Sequence, residues 1–89
     1  MKTKYKLNDA IEVNDLDNEL VIIIPQTEKM YYCNKLARDI FYYIQNRLTV
    51  QQIMASLLVK YDVDEKTLKS DVDDTLNKLV NFQIIAIEE

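Results

Sequence analysis

Few side chains in this sequence can do covalent chemistry. Its 89 residues include no histidine, no glycine, no tryptophan and a single cysteine. Cys33 is the one thiol that could serve as a nucleophile or a metal ligand. A reactive thiolate needs a neighbouring base or cation, and with no histidine to supply it, a small core residue is the better reading. Asp15, Asp17 and Glu19 alternate like part of a calcium loop. The glycine and the distal glutamate that such a loop requires are missing, so the three read as a solvated turn. Asp71, Asp73 and Asp74 suggest a metal cluster only until they are set on a helix, where Asp73 and Asp74 face water. No metal or cofactor is expected, and without a nucleophile–base pair no catalysis is expected either. The distinctive groups that remain are aromatic. Tyr31–Tyr32 and Tyr42–Tyr43 form two pairs, each expected to put one ring in the core and one at the surface, where tyrosine is a good anchor for a bound partner.

Composition narrows the classes further. Fifteen acids against eleven bases give a formal net charge of −4, which speaks against a broad nucleic-acid interface. One cysteine excludes an internal disulfide, and with it a stapled secreted mini-protein. The 48% apolar content suffices for one modest core, and residues 1–89 are read as one domain. Met1–Lys6 is too polar for a secretory signal. The longest apolar run, Leu20–Ile24, is far short of a membrane span. A cytoplasmic protein is expected.

The elements that would position these residues follow in a clear order. Met1–Asp9, with Tyr5 and Leu7 alternating, fits either a first strand or a loose arm. Ala10–Val13 is a short strand candidate. Asn14–Asn18 is dense in Asn and Asp, which favour turns by bonding their own backbone. Glu19–Ile24 is β-branched and apolar on both faces, as a central strand is, and Pro25 ends it for want of an N–H. Gln26–Glu28 turns the chain, and Lys29–Cys33 returns as a third antiparallel strand.

Three helices follow. Asn34 stands at an N-cap, with Leu36, Ala37, Ile40, Phe41 and Ile44 at helical spacing and Asn46 as a left-handed stop. Thr49 to Gln52 is a capping box, followed by the stripe Ile53, Met54, Leu57, Leu58 and Tyr61. Asp64 caps the third helix, whose stripe is Leu68, Val72, Leu76, Leu79 and Val80. Leu79 and Val80 suit either a groove or the core. Ile84–Ile87 is an apolar tail expected to pack back on the body.

The series Asn34-Lys-Leu-Ala-Arg-Asp-Ile-Phe41, Thr49-Val-Gln-Gln-Ile53, Tyr61, and Asp71-Val72 with Leu76, Leu79, Ile84 and Ile85 resembles the PqqD family, and Val21–Pro25 fits the same pattern. These are small leader-recognition proteins, also called RiPP recognition elements. The resemblance runs from roughly Glu19 to Ile85. There are departures. Cys33 stands where Leu is usual, Asn46 and Gln83 stand where Gly is usual, and the segment from Pro25 to Asn34 is longer than typical. The resemblance implies an α+β fold similar to a winged helix-turn-helix, with a three-stranded antiparallel sheet followed by three α-helices. It also implies a non-catalytic adaptor that binds the leader of a ribosomally made precursor peptide and presents it to a radical-SAM maturase or a leader peptidase.

The implied mechanism is strand addition. Lys29, Met30, Tyr31, Tyr32 and Cys33 would form an open sheet edge that templates an incoming strand. Leu68, Val72, Thr75 and Leu79 would line a slot on the third helix, with Asp71 beside it. Lys29, Arg38, Lys69 and Lys78 would flank it and favour an acidic leader. The competing reading is a winged-helix DNA-binding regulator. That needs a basic recognition helix, whereas the second helix carries only Lys60 and the third carries Asp71, Asp73 and Asp74. An open edge also permits pairing with a second copy, so a homodimer is a further expected partner.

Overall fold

The computed structural model describes residues 3–17 and 19–88. Four strands come first: β1 (Lys4–Leu7), β2 (Glu12–Leu16), β3 (Glu19–Ile24) and β4 (Lys29–Cys33). Three helices follow, α1 (Lys35–Gln45), α2 (Val50–Lys60) and α3 (Glu65–Asn81), and then β5 (Ile85–Glu88). β2, β3 and β4 form an antiparallel sheet with β3 in the middle, as the apolar run Leu20–Ile24 requires. Leu20, Ile22 and Ile24 of β3 are fully buried together with Ile40 and Phe41 of α1, Ile53 and Leu57 of α2, and Val72 and Leu79 of α3. The expected α+β architecture, a three-stranded sheet followed by three helices, is the one observed.

A second sheet joins the two ends of the chain. β1 pairs antiparallel with β5, from Lys4 opposite Glu88 to Leu7 opposite Ile85. The N-terminal segment is thus a strand, and the apolar tail is its partner. Met1 and Lys2 lie outside the described residues.

Each helix starts where its cap predicts. The Ala37 N–H donates to Asn34 Oδ1 at 2.8 Å. Gln52 N–H donates to Thr49 Oγ1 at 3.1 Å while Thr49 N–H donates to Gln52 Oε1 at 2.8 Å, so the capping box closes both ways. The Thr67 N–H donates to Asp64 at 3.2 Å. Each bond satisfies an amide that the helix itself leaves free.

Three local expectations are corrected. The first concerns the β2–β3 connection. The strand expected over Ala10–Val13 lies at Glu12–Leu16, so Asn14, Asp15 and Leu16 belong to the ladder rather than to a turn. Asp15 tolerates this because α1 satisfies it: its carboxylate accepts the Tyr42 hydroxyl at 2.8 Å and Arg38 at 3.2 Å. The corner falls on Asp17, at φ 57°, and Asn18 lies outside the described residues. The second correction is at the end of α1. Asn46 stays at φ −87° and the left-handed residue is Arg47, at φ 69°. The third is Val80, which is exposed and not part of the buried stripe.

Two helix ends share one device. Arg47 N–H donates to Ile44 O at 2.9 Å and Leu48 N–H to Tyr43 O at 3.1 Å. Gln83 N–H donates to Val80 O and Ile84 N–H to Leu79 O, both at 2.9 Å. Both are Schellman motifs, which place one residue in left-handed conformation. Gln83 takes that place at φ 63°, where the resemblance expects glycine. A residue with a Cβ is disfavoured there by about 1–2 kcal/mol. Glycine gives back part of that gain because its unfolded chain is freer, by roughly 0.5–1 kcal/mol. Gln83→Gly is therefore expected to stabilise the fold by about 0.5–1 kcal/mol and raise Tm by roughly 2–8 °C in thermal melts.

Candidate functional site

The unpaired backbone of β4 is the main feature of the site. Its residues pair only with β3, in the register Leu20↔Cys33, Val21↔Tyr32, Ile22↔Tyr31, Ile23↔Met30 and Ile24↔Lys29. Among the described residues no strand covers its other side. Half of the N–H and C=O groups of such a strand point outward, ready for a further strand. The connection from Ile24 to Lys29 is fixed by Thr27, whose N–H and hydroxyl both donate to the Ile24 carbonyl, at 3.1 and 3.2 Å. Glu28 turns the corner at φ 55°.

Strand alternation divides the β4 side chains. Lys29, Tyr31 and Cys33 lie on the helix side, opposite the buried Ile24, Ile22 and Leu20. Met30 and Tyr32 lie on the outer face and are exposed, Tyr32 at 66%. The Tyr31–Tyr32 pair thus divides as expected, with Tyr31 half-buried. Tyr42 and Tyr43 do not divide: both are half-buried. Cys33 is buried, and burial pushes its thiol up to about 11. It therefore stays protonated and unreactive at neutral pH.

The residues expected on α3 separate into two groups. Leu68, Val72, Thr75 and Leu79 are buried, while Asp71 and Lys78 are exposed. The Thr75 hydroxyl donates to the Asp71 carbonyl at 2.9 Å, so it serves its own helix. The four buried side chains belong to the body of the protein beneath the surface, not to its accessible lining.

One residue escaped the sequence reading. Phe82, the C-cap of α3, packs edge-on to Tyr31 with ring centroids 5.1 Å apart. The Lys29 ammonium stands 5.8 Å from the centroid of the same ring. The end of α3 is thereby brought to β4, and an aromatic pair with a cation beside it borders the open edge. The signal was present, since Phe82 continues the Val72, Leu79 spacing. Arg38 is a correction in the other direction. It is bound to Asp15 and to the Asp17 carbonyl, both at 3.2 Å, on the β2 side of the sheet, and does not flank β4. Lys69 is paired with Asp73 at 3.0 Å.

A cleft of about 740 Å³ lies away from β4, among Leu7, Ile44, Arg47, Ile85 and Glu88. Arg47 grips Glu88 there at 2.6 Å and holds its carboxyl below the usual range. Among the described residues no cluster of acids or cysteine could hold a metal ion. No helix among them is long and apolar enough to cross a membrane.

An open-edged three-stranded sheet beside three helices defines a class, and comparison with known proteins agrees. The family model described as Coenzyme PQQ synthesis protein D (PqqD) matches residues 19–85. The chain belongs to the PqqD family. Among solved structures it is similar to TbiB1 in complex with the TbiA(beta) leader peptide, at 24% identity and a TM-score of 0.83, covering 90% of this chain and 93% of that one. It is also similar to lasso peptide synthetase B1 complexed with the leader peptide, at 14% identity and a TM-score of 0.80, covering 93% and 98%. No curated protein sequence matches it.

Proposed function

We propose that this protein is a non-catalytic adaptor, one peptide-binding domain over residues 1–89, that captures the leader of a ribosomally made precursor peptide. It would present the leader to a modifying enzyme, either a radical-SAM maturase or a leader peptidase. The observation that carries this reading is the unpaired edge of β4 with the Tyr31–Phe82 pair at its border. Family membership and the two leader-bound structural relatives support it.

A leader would add as a fourth strand. Backbone bonds along Lys29–Cys33 would supply affinity, each worth about 1 kcal/mol net. Alternate side chains of the leader would turn toward Tyr31, Phe82 and the exposed Asp71 and Lys78. Lys29 and Lys78 favour an acidic leader. The opposite edge, β2, carries Glu12 and Asp15 and is followed by Asp17, so charge steers such a leader to β4 and also opposes pairing of two copies through β2. The winged-helix DNA reading gains no support, because α3 exposes Asp71, Asp73 and Asp74.

The test is a titration of the ¹⁵N-labelled chain with synthetic leader peptides, beginning with the TbiA(beta) leader. Amide shifts are expected at Lys29–Cys33 and toward Phe82. Rim charges are worth about 0.2–1 kcal/mol each, so reversing Lys29 and Lys78 together is expected to weaken binding by roughly twofold to thirtyfold. Shifts confined to β1, β5 or α2 would sink the proposal.

A further inference from the structure

We infer that the cleft between α1 and α2 is a second binding site, one that takes an acidic segment of a partner protein. It encloses about 630 Å³ and is lined by Lys35, Arg38, Asp39, Tyr42 and Lys60. With Asp15, which binds Arg38 and Tyr42 from β2, the site holds three cations against two carboxylates, a positive local balance in a chain whose formal net charge is −4. None of these residues lies on β4 or α3, and Lys35, two residues beyond Cys33, is the nearest of them in sequence to the edge strand. The site is independent of the leader-binding reading.

Two of the cations are held in position beforehand. Asp39 is mostly buried, and both its oxygens are engaged: it accepts Lys60 Nζ at 2.9 Å and the Tyr61 hydroxyl at 2.6 Å. Arg38 donates to the Asp15 carboxylate and to the Asp17 carbonyl, which leaves further guanidinium N–H groups for another acceptor. Its carbon centre stands 5.8 Å from the Tyr42 ring. Lys35 has no carboxylate partner among the described residues, and its ammonium rests 5.5 Å from the Tyr61 ring. Long basic side chains normally lose rotamer freedom when they bind, and anchoring them in advance removes much of that loss.

The same geometry selects the ligand. Asp39 in the lining repels a dianion, which disfavours inorganic phosphate. Carboxylates carry one charge each and can be met singly, by Lys35 and by the planar fork of Arg38. Basic groups projecting from two helices along one cleft suit acidic side chains spaced along a peptide.

The experiment titrates the full ¹⁵N-labelled chain with a synthetic hexaglutamate peptide at constant ionic strength. Inorganic phosphate and a short DNA duplex are run in parallel. Saturable shifts are expected at Lys35, Arg38, Asp39, Tyr42 and Lys60. Lys35→Glu is expected to weaken hexaglutamate binding at least tenfold, and Lys35→Gln by a smaller factor. Lys66→Glu, the same charge change on the exposed first turn of α3, is expected to change it less than twofold. Equal losses in Lys35→Glu and Lys66→Glu, shifts spread over every lysine, equal shifts with phosphate, or tighter binding of the duplex would each overturn the proposal. Leader binding is read on Lys29–Cys33 and Phe82, so failure at one site leaves the other standing.

Discussion

Proline in the middle of β4 is expected to separate leader capture from folding. Met30 and Tyr31 are neighbours in the strand, so their N–H groups point to opposite sides, one toward β3 and one toward the open edge. Proline at the residue bonded to β3 removes a ladder bond and is expected to unfold the sheet. Proline at the other position removes only an outward donor and places its ring where an added strand would lie. That variant is expected to keep its helical circular dichroism and its melting temperature within a few degrees. Its leader affinity should fall at least thirtyfold, about 2 kcal/mol, through the lost bond and the distorted neighbours. Paired measurement of Met30→Pro and Tyr31→Pro by thermal melt and leader titration makes the check. If the folded variant of the two binds leader as well as the parent does, strand addition at β4 is wrong.

The largest stability effect is expected at Leu79. Its side chain is fully buried, and it belongs to the same core as Leu68, Val72 and Leu76 of α3. Leu79→Ala removes buried surface and leaves a cavity that neighbours fill only in part, which costs about 2–5 kcal/mol. A domain of this size loses roughly 4–8 °C per kcal/mol, so Tm is expected to drop by more than about 10 °C. Leader affinity measured well below the new Tm should change much less, because Leu79 offers almost no surface to a ligand. Phe82→Ala is the informative contrast. Phe82 is only half-buried and touches Tyr31 at the open edge, so its loss should weaken the leader more than it weakens the fold.

Element order and core were legible in the sequence because each rests on a local signal. Pro25 ends β3, Asn34, Thr49 and Asp64 start the helices, and the apolar spacing of Leu68, Val72, Leu76 and Leu79 marks one buried face. The misplaced features depend on partners distant in sequence. Asp15 reads as a turn residue until Arg38 and Tyr42, on α1, supply its hydrogen bonds. Arg47 rather than Asn46 takes the left-handed conformation because the backbone bonds of the Schellman motif fix the position, whatever the local preference for asparagine. The same limit applies to the site. An edge strand can be expected from the order of strands. Which α3 side chains reach the surface depends on how the helix is rotated over the sheet, and that buried Leu68, Val72, Thr75 and Leu79 while bringing Phe82 to the border.

The pairing of Lys4 with Glu88 has a practical consequence for how such a protein is tethered. Lys4 and Glu88 stand side by side at one end of the β1–β5 ribbon. A fused enzyme, an affinity tag or a linker to a surface joined through either of these strands has similar reach, and the ribbon belongs to a different sheet from β4.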